Sequence, residues 1–417
     1  MSEQKIMNRW LVVIGAVLIQ LCLGAIYAWS VFTKPLVEAG WSKAQTQGVF
    51  AAGLATFAII MVLAGRLLPK LGPRVVAMAG GVVLGIGYIL GGLIGKTDFI
   101  GLFILIGIVG GAGIGLAYVV PIAVGMRWFP DKKGLITGLA VAGFGFGATL
   151  WVKLAGSWGE LIANQGLSKT FIIYGVVFLV AVVIGGFWMK FPPEGWKPEG
   201  WNPPEPVSGK AAAGTVDFKS GEMLKTPQYY MILLTFVFGA SAGLMSIGLM
   251  KLFPMQALQA NGIDAVAASA IAGTAMAIFF SLANGIGRIA WGAISDKLGR
   301  KLSIALMMGT QGIIVILFQW IAGTPALLYI GATLIGFNFG GNFALFPTIT
   351  ADTFGTKFVG QNYGWVFLAY GIGGIFGPML GGKLGDMGNF PLAFTICGIL
   401  CLVAAGIISM VKTPQKQ

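Results

Sequence analysis

The chain has 417 residues, 57% of them hydrophobic and only 10% charged, with 66 glycines and a mean hydropathy of +0.86. Apolarity of this order excludes a soluble globular domain. A formal net charge of +13 would suggest nucleic acid in a soluble protein; in a membrane protein the position of each lysine and arginine carries the information instead, and no nucleic-acid partner is expected.

Apolar runs of about 20 residues recur from end to end, and a bilayer leaves no water to satisfy open backbone groups, so the runs must be helices. The expected fold is an all-α polytopic membrane protein with twelve transmembrane helices, over 10–33, 45–68, 75–95, 99–126, 134–163, 169–190, 228–258, 265–295, 302–322, 325–350, 360–382 and 389–411. The first run follows Lys5 and Arg9. It is too long for a signal-peptide core and has no small-residue cleavage site, so it is expected to stay in the protein. Cys22, Cys397 and Cys401 all fall inside runs with no metal-ligand or disulfide spacing.

Glycine clusters GGAGIG at 110–115 and GFGFG at 143–147 lie in mid-span. There they suit close helix packing and sliding between bundles rather than phosphate binding. Lys153 and Lys251 fall near the outer ends of their spans, where the amine can snorkel to water or contribute to an electropositive vestibule.

The longest polar stretch, 191–227, contains FPPEGWKPEGWNPPEPVSGKAAAG and reads as a linker. It divides the chain into an N-terminal six-helix bundle over 1–190, a cytoplasmic linker over 191–227 and a C-terminal six-helix bundle over 228–417. An internal repeat supports the division: GRLLPKLGPR at Gly65–Arg74 recurs 227 residues later as GAISDKLGRK at Gly292–Lys301. With both termini cytoplasmic, 19 of the 27 lysines and arginines fall on the cytoplasmic side, five outside and three within spans, which satisfies the positive-inside rule.

One residue stands apart. Arg288 is the single charged side chain of the apolar stretch 265–295, and a guanidinium cannot shed its proton. Asp296 is eight residues further on, which puts Arg288 roughly 12 Å inside the membrane at about 1.5 Å per residue. Snorkelling is one resolution; a small anion arriving from outside is the other. Asn284, four residues earlier, shares the face, and an amide beside a guanidinium can hold a carboxylate by bidentate, charge-assisted hydrogen bonds. The 14 acidic residues all fall in loops, tails or helix ends and there is no histidine. No catalytic constellation, metal site or cofactor site is therefore expected, and no side chain is an evident proton carrier.

The second copy of the repeat matches the G-x-x-x-D-x-x-G-R-K loop signature of the major facilitator superfamily, through Gly292, Asp296, Gly299, Arg300 and Lys301. The first copy has Pro69 in place of the acid. This resemblance covers the whole chain and implies two six-helix bundles that rock about a mid-depth site, with the loop motif as a conformational gate. RWFPDKKGLITG at Arg127–Gly138, SGEMLKTPQ at Ser220–Gln228, NFALFP at Asn342–Pro347 and QNYGW at Gln361–Trp365 further resemble the oxalate/formate antiporter family, bacterial relatives of the monocarboxylate (lactate and pyruvate) transporters.

In the oxalate exchangers, the helix-eight arginine is joined by a lysine on helix eleven; here that position is Tyr370. One cation matches one carboxylate, and a dianion would leave a charge uncompensated at a cost of several kcal/mol. The mammalian monocarboxylate carriers have an aspartate where Asn284 stands and a lysine on helix one, where Tyr27, Trp29 and Ser30 offer none. The resemblance also implies that Tyr27, Tyr118, Phe339, Phe343, Phe367 and Tyr370 line the cavity with Asn284 and Arg288, although such aromatics serve equally as packing residues in membrane helices. The expected function is secondary active transport of small monocarboxylates of lactate or pyruvate type by proton-coupled symport, with H+ as co-substrate; the alternative is carboxylate exchange of oxalate/formate type. A multi-pass protein of the bacterial cytoplasmic (inner) membrane, monomeric and in contact with lipid, completes the expectation.

Overall fold

The computed structural model describes residues 6–95, 98–156, 158–202, 216–250, 252–412 and 414. Lys251, assigned above to the interface or a vestibule, lies outside the described residues.

Among the described residues, twelve helices are long and apolar enough to cross a membrane: α1 (Trp10–Trp29), α2 (Gln45–Leu71), α3 (Pro73–Ile94), α4 (Phe99–Trp128), α5 (Lys133–Ala155), α6 (Leu161–Gly186), α7 (Pro227–Leu249), α8 (Ala265–Leu298), α9 (Arg300–Ile321), α10 (Pro325–Phe354), α11 (Val359–Asp386) and α12 (Phe390–Ser409). The fold is that of an all-α polytopic membrane protein with two six-helix bundles. Local chemistry sets the ends. Ser42 and Gln45 form a capping box at the start of α2. Gly72 and Gly299, with φ of +79° and +84°, turn α2 into α3 and α8 into α9, a left-handed conformation that side chains with a Cβ rarely adopt. The outward faces carry exposed isoleucines such as Ile59, Ile286, Ile313 and Ile330, which costs nothing where the solvent is hydrocarbon.

Two compact units are resolved. Unit 1 holds residues 1–203 with 359–364, the first turns of α11, and unit 2 holds 204–358 with 365–417. Within unit 1, α3 packs on α6, α2 on α4, and α1 on α4, α5 and α6; within unit 2, α9 packs on α12, α8 on α10, and α7 on α10 and α12.

The two halves repeat one packing scheme at the level of single atoms. A Cβ on Gly143 or Gly147 of α5 would lie 2.9 Å from the Val17 carbonyl oxygen or 2.2 Å from that of Leu21 on α1. On α11, the same atom on Gly373 or Gly377 would lie 2.9 Å from the Val237 oxygen or 2.2 Å from the Ser241 oxygen on α7. The GFGFG cluster, expected to ease sliding between bundles, thus seats α5 against α1 inside its own unit. GGAGIG does likewise, with Gly111 and Gly115 of α4 against Gly53 and Phe57 of α2. Glycine pairs of this kind let backbones touch in a medium where lipid gives helices no hydrophobic reason to associate.

Both described ends of the linker dock on their own units. Trp128 Nε1 donates to the Lys190 carbonyl at 2.6 Å, and Trp196 packs edge-on against Trp128. On the other side, Asp217 Oδ1 accepts from the Lys357 amide at 3.0 Å and Phe218 meets Phe354 at the end of α10.

Candidate functional site

The position of Arg288 follows from the contact between α8 and α10. A Cβ on Gly287 would lie 2.0 Å from the Phe337 carbonyl oxygen, one on Gly336 2.4 Å from that of Phe280, and one on Gly340 2.1 Å from that of Asn284. Only hydrogen fits at these three places. The backbones therefore meet along one seam, which sets Asn284 and Arg288 beside the Phe339–Phe343 stretch of α10.

Arg288 has no exposed surface, and its Nε donates to Asn284 Oδ1 at 3.0 Å. Its guanidinium carbon lies 4.1 Å from the centroid of the Phe343 ring. A cation over an aromatic face gains about 2 kcal/mol or more when desolvated, and the amide oxygen adds a charge-assisted hydrogen bond. A guanidinium presents its remaining N–H groups in a planar fork, a geometry that matches a two-oxygen anion.

Aromatic rings extend the site. Phe339 meets Phe343 edge-on at 5.4 Å, Phe343 meets Tyr370 at 5.5 Å, and Phe367 stacks on Tyr370 at 5.2 Å. Six residues singled out from the sequence thus form one contiguous cluster in unit 2. The remaining two, Tyr27 and Tyr118, belong to a separate cluster in unit 1, where Phe144 contacts both at 5.2 and 5.4 Å. Gln20, which sequence reading passed over, joins that cluster: its Nε2 donates to the Tyr118 carbonyl at 3.1 Å. Pro121 lies one residue short of a full turn beyond Tyr118 and disturbs the helix there. Lys153 is half-buried near the end of α5.

The repeat brings out an asymmetry. Shifting by the 227 residues that separate the loop motifs takes Asn284 to Phe57 and Arg288 to Met61. The seam of α2 and α4 is built like that of α8 and α10, with Gly115 on Phe57 where Gly340 sits on Asn284. Tyr118, three residues after Gly115, therefore stands in unit 1 where Phe343 stands in unit 2. The same scaffold is apolar at the anchor position in one half and cationic in the other.

At the loop motif between α8 and α9, Arg300 ties three elements together: Nη2 to Asp296 Oδ1 at 2.6 Å, Nε to Asp352 Oδ2 at 2.9 Å and Nη1 to Ser295 Oγ at 2.5 Å. Gly292 contributes its carbonyl to Ser295 Oγ at 2.8 Å, Gly299 forms the turn, and Lys301 lies exposed in the first turn of α9. The first half has Pro69, Pro73 and Arg127 at the places of Asp296, Arg300 and Asp352. Unit 1 is instead tied by Arg9 to Asp131 at 3.0 Å, and Arg127 covers the Phe191 ring at 3.8 Å.

Comparison with known proteins agrees with this architecture. The chain matches the Major Facilitator Superfamily over residues 10–283 and 267–417. It is 30% identical to the oxalate:formate antiporter of Oxalobacter formigenes, over 97% of this chain and 91% of that one. It is also 30% identical to the MFS-type transporter YhjX of Escherichia coli, over 88% and 86%, and 24% identical to monocarboxylate transporter 13 of Rattus norvegicus, over 96% and 88%. Among solved structures, the proton:xylose symporter XylE superposes with a TM-score of 0.65 at 15% identity, covering 95% of this chain and 94% of that one. The E. coli fucose:proton symporter FucP gives 0.65 at 15% identity, covering 96% and 100%. With this match along its whole length, the chain belongs to the major facilitator superfamily and is a multi-pass secondary active transporter working by alternating access, not an enzyme.

Proposed function

We propose that the protein carries small carboxylate anions, with Arg288 and Asn284 as the anchor, and that it works by exchanging one such anion for another. The observation that carries this reading is a fully buried guanidinium at membrane depth with Nε held by an amide and one face held by Phe343. A guanidinium with a neutral amide beside it is suited to a planar two-oxygen ligand through charge-assisted hydrogen bonds. Tyr370 and Phe367 wall the anchor within unit 2, while Tyr27 and Tyr118 are retained as lining residues on the family resemblance. The single cation favours monoanions such as formate or lactate over oxalate.

Exchange is preferred to the proton-coupled symport expected from the sequence for two reasons. Identity to the oxalate:formate antiporter, at 30%, exceeds that to monocarboxylate transporter 13, at 24%. None of the 14 acidic residues falls in the apolar sequence flanking Arg288, and histidine is absent from the chain, so proton carriage has no evident side chain. Both termini are assigned to the cytoplasm, the bundle boundaries to 190 and 228, the motif around Arg300 to gating, and the protein to the bacterial inner membrane as a monomer.

The test is flux into proteoliposomes. Labelled formate or lactate is expected to enter only when unlabelled carboxylate is trapped inside, and Arg288→Gln is expected to abolish entry while the protein still folds. Uptake into vesicles without internal anion, driven by an inward proton gradient, would replace exchange by symport. Transport surviving in Arg288→Gln would remove the anchor.

A further inference from the structure

Three residues that the sequence does not single out join α8, α9 and α10 within unit 2. Trp291 Nε1 donates to Asn338 Oδ1 at 3.1 Å, and Asn338 Nδ2 donates to Thr310 Oγ1 at 3.1 Å. Thr310 is itself fixed, because its hydroxyl donates to the carbonyls of Leu306 and Met307 on its own helix. Trp291 and Asn338 are 8% and 5% exposed. The bond from Trp291 to Asn338 is thus made in the protein interior, and Thr310, on the exposed face of α9, holds its outer end.

Arg288 lies three residues before Trp291 on the same helical face. The seam between α8 and α10 is glycine against backbone carbonyl. A seam of that kind fixes how closely two helices approach, and rotation about the helix axis is opposed by the side chains that cross it, among them Trp291, whose ring meets Phe337 at 6.0 Å and lies 2.6 Å from where a Cβ on Gly341 would stand. A guanidinium held about 6 Å from that axis moves about 2 Å for a rotation of about 20°. Errors of about 1 Å in positioning suffice to weaken a site markedly.

The internal repeat supplies a control. Unit 1 builds the equivalent seam of α2 and α4 with Ala64, Gly113 and Val83 at the places of Trp291, Asn338 and Thr310. None of these side chains can form the bonds, so the scaffold packs without them. The polar bridge occurs in the half that carries Arg288 and is lacking where Met61 takes its place.

We infer that Trp291 and Asn338 are positioning residues for the anchor: a latch that holds α8 at the rotation presenting the Arg288 fork. This rests on Arg288 being the carboxylate anchor. In the full chain reconstituted with trapped formate, Trp291→Phe and Asn338→Leu are each expected to raise KM for formate about tenfold, with maximal rate within twofold of wild type. The double variant is expected to be no worse than either single one, because each breaks the same bond. Thr310→Val, which removes only the outer support, should raise KM less. An unchanged KM, or single effects that multiply in the double variant, would overturn the latch. If the wild-type protein moves none of formate, lactate and oxalate, the carboxylate reading fails. The latch is then judged by N-ethylmaleimide alkylation of Arg288→Cys, read by mass spectrometry. Adding Trp291→Phe is expected to change that rate at least threefold, and an unchanged rate overturns it.

Discussion

At the scale of the residue, the chemistry turns on what stands beside the guanidinium. Asn284 accepts from Arg288 Nε at 3.0 Å without carrying charge, so in the proposed site it would orient the fork without competing with an incoming anion. A carboxylate in the same place would compete. Asn284→Asp is therefore expected to lower formate uptake by tenfold or more, and the loss is expected to persist from pH 7.5 down to 5.5, because the adjacent guanidinium favours the ionised carboxylate. The wild-type rate should change less than threefold across that range. Initial rates of exchange at several pH values check this; a variant that keeps the wild-type rate would mean that Asn284 lies off the route of the anion.

At the scale of the element, helix contact is governed by where a side chain is absent. Gly340 faces the Asn284 carbonyl, whereas a Cβ on Gly309 of α9 meets nothing within 4 Å. Gly340→Ala is expected to destabilise the protein by about 1–3 kcal/mol through overpacking and to displace the anchor. Gly309→Ala should leave the melting temperature unchanged or raise it, since alanine is the better helix former by about 1 kcal/mol. Thermal denaturation of both variants in detergent, with exchange rates alongside, checks the pair.

The same contrast explains what could be read from the chain. Span positions, the linker and the Asn284–Arg288 pair are local signals, written in hydropathy and four-residue spacing, and the loop motif is a contiguous string. The Trp291–Asn338 bond joins residues 47 apart, and that of Gln20 to Tyr118 joins residues 98 apart. Neither leaves a periodic trace. A polar residue in mid-span was the available clue, since a buried amide must find a partner, but the clue does not name the partner. The GFGFG cluster was recognised as a packing device, yet a glycine's spacing cannot say which helix it admits. Only the backbone positions assign it to α1.

At the scale of the whole molecule, the proposed anchoring of a monoanion by one fixed charge constrains the transport cycle. The Arg288 guanidinium keeps its proton at any working pH, so the empty site carries one more positive charge than the site holding a monoanion. Burying that excess while access changes sides is disfavoured, and a carrier of this kind reorients more readily loaded than empty. On the proposed function, exchange follows from the same charge that would provide binding. If both half-cycles carry a monoanion, no net charge crosses the membrane in a full turn. In proteoliposomes, a potassium diffusion potential set with valinomycin is therefore expected to leave the initial rate of formate–formate exchange within about 1.5-fold of its value at zero potential, for either sign of potential. A rate that rises several-fold at one polarity and falls at the other would mean that the unloaded, cationic form also crosses. The return step would then not require an anion, and Arg288 would bind substrate without enforcing exchange.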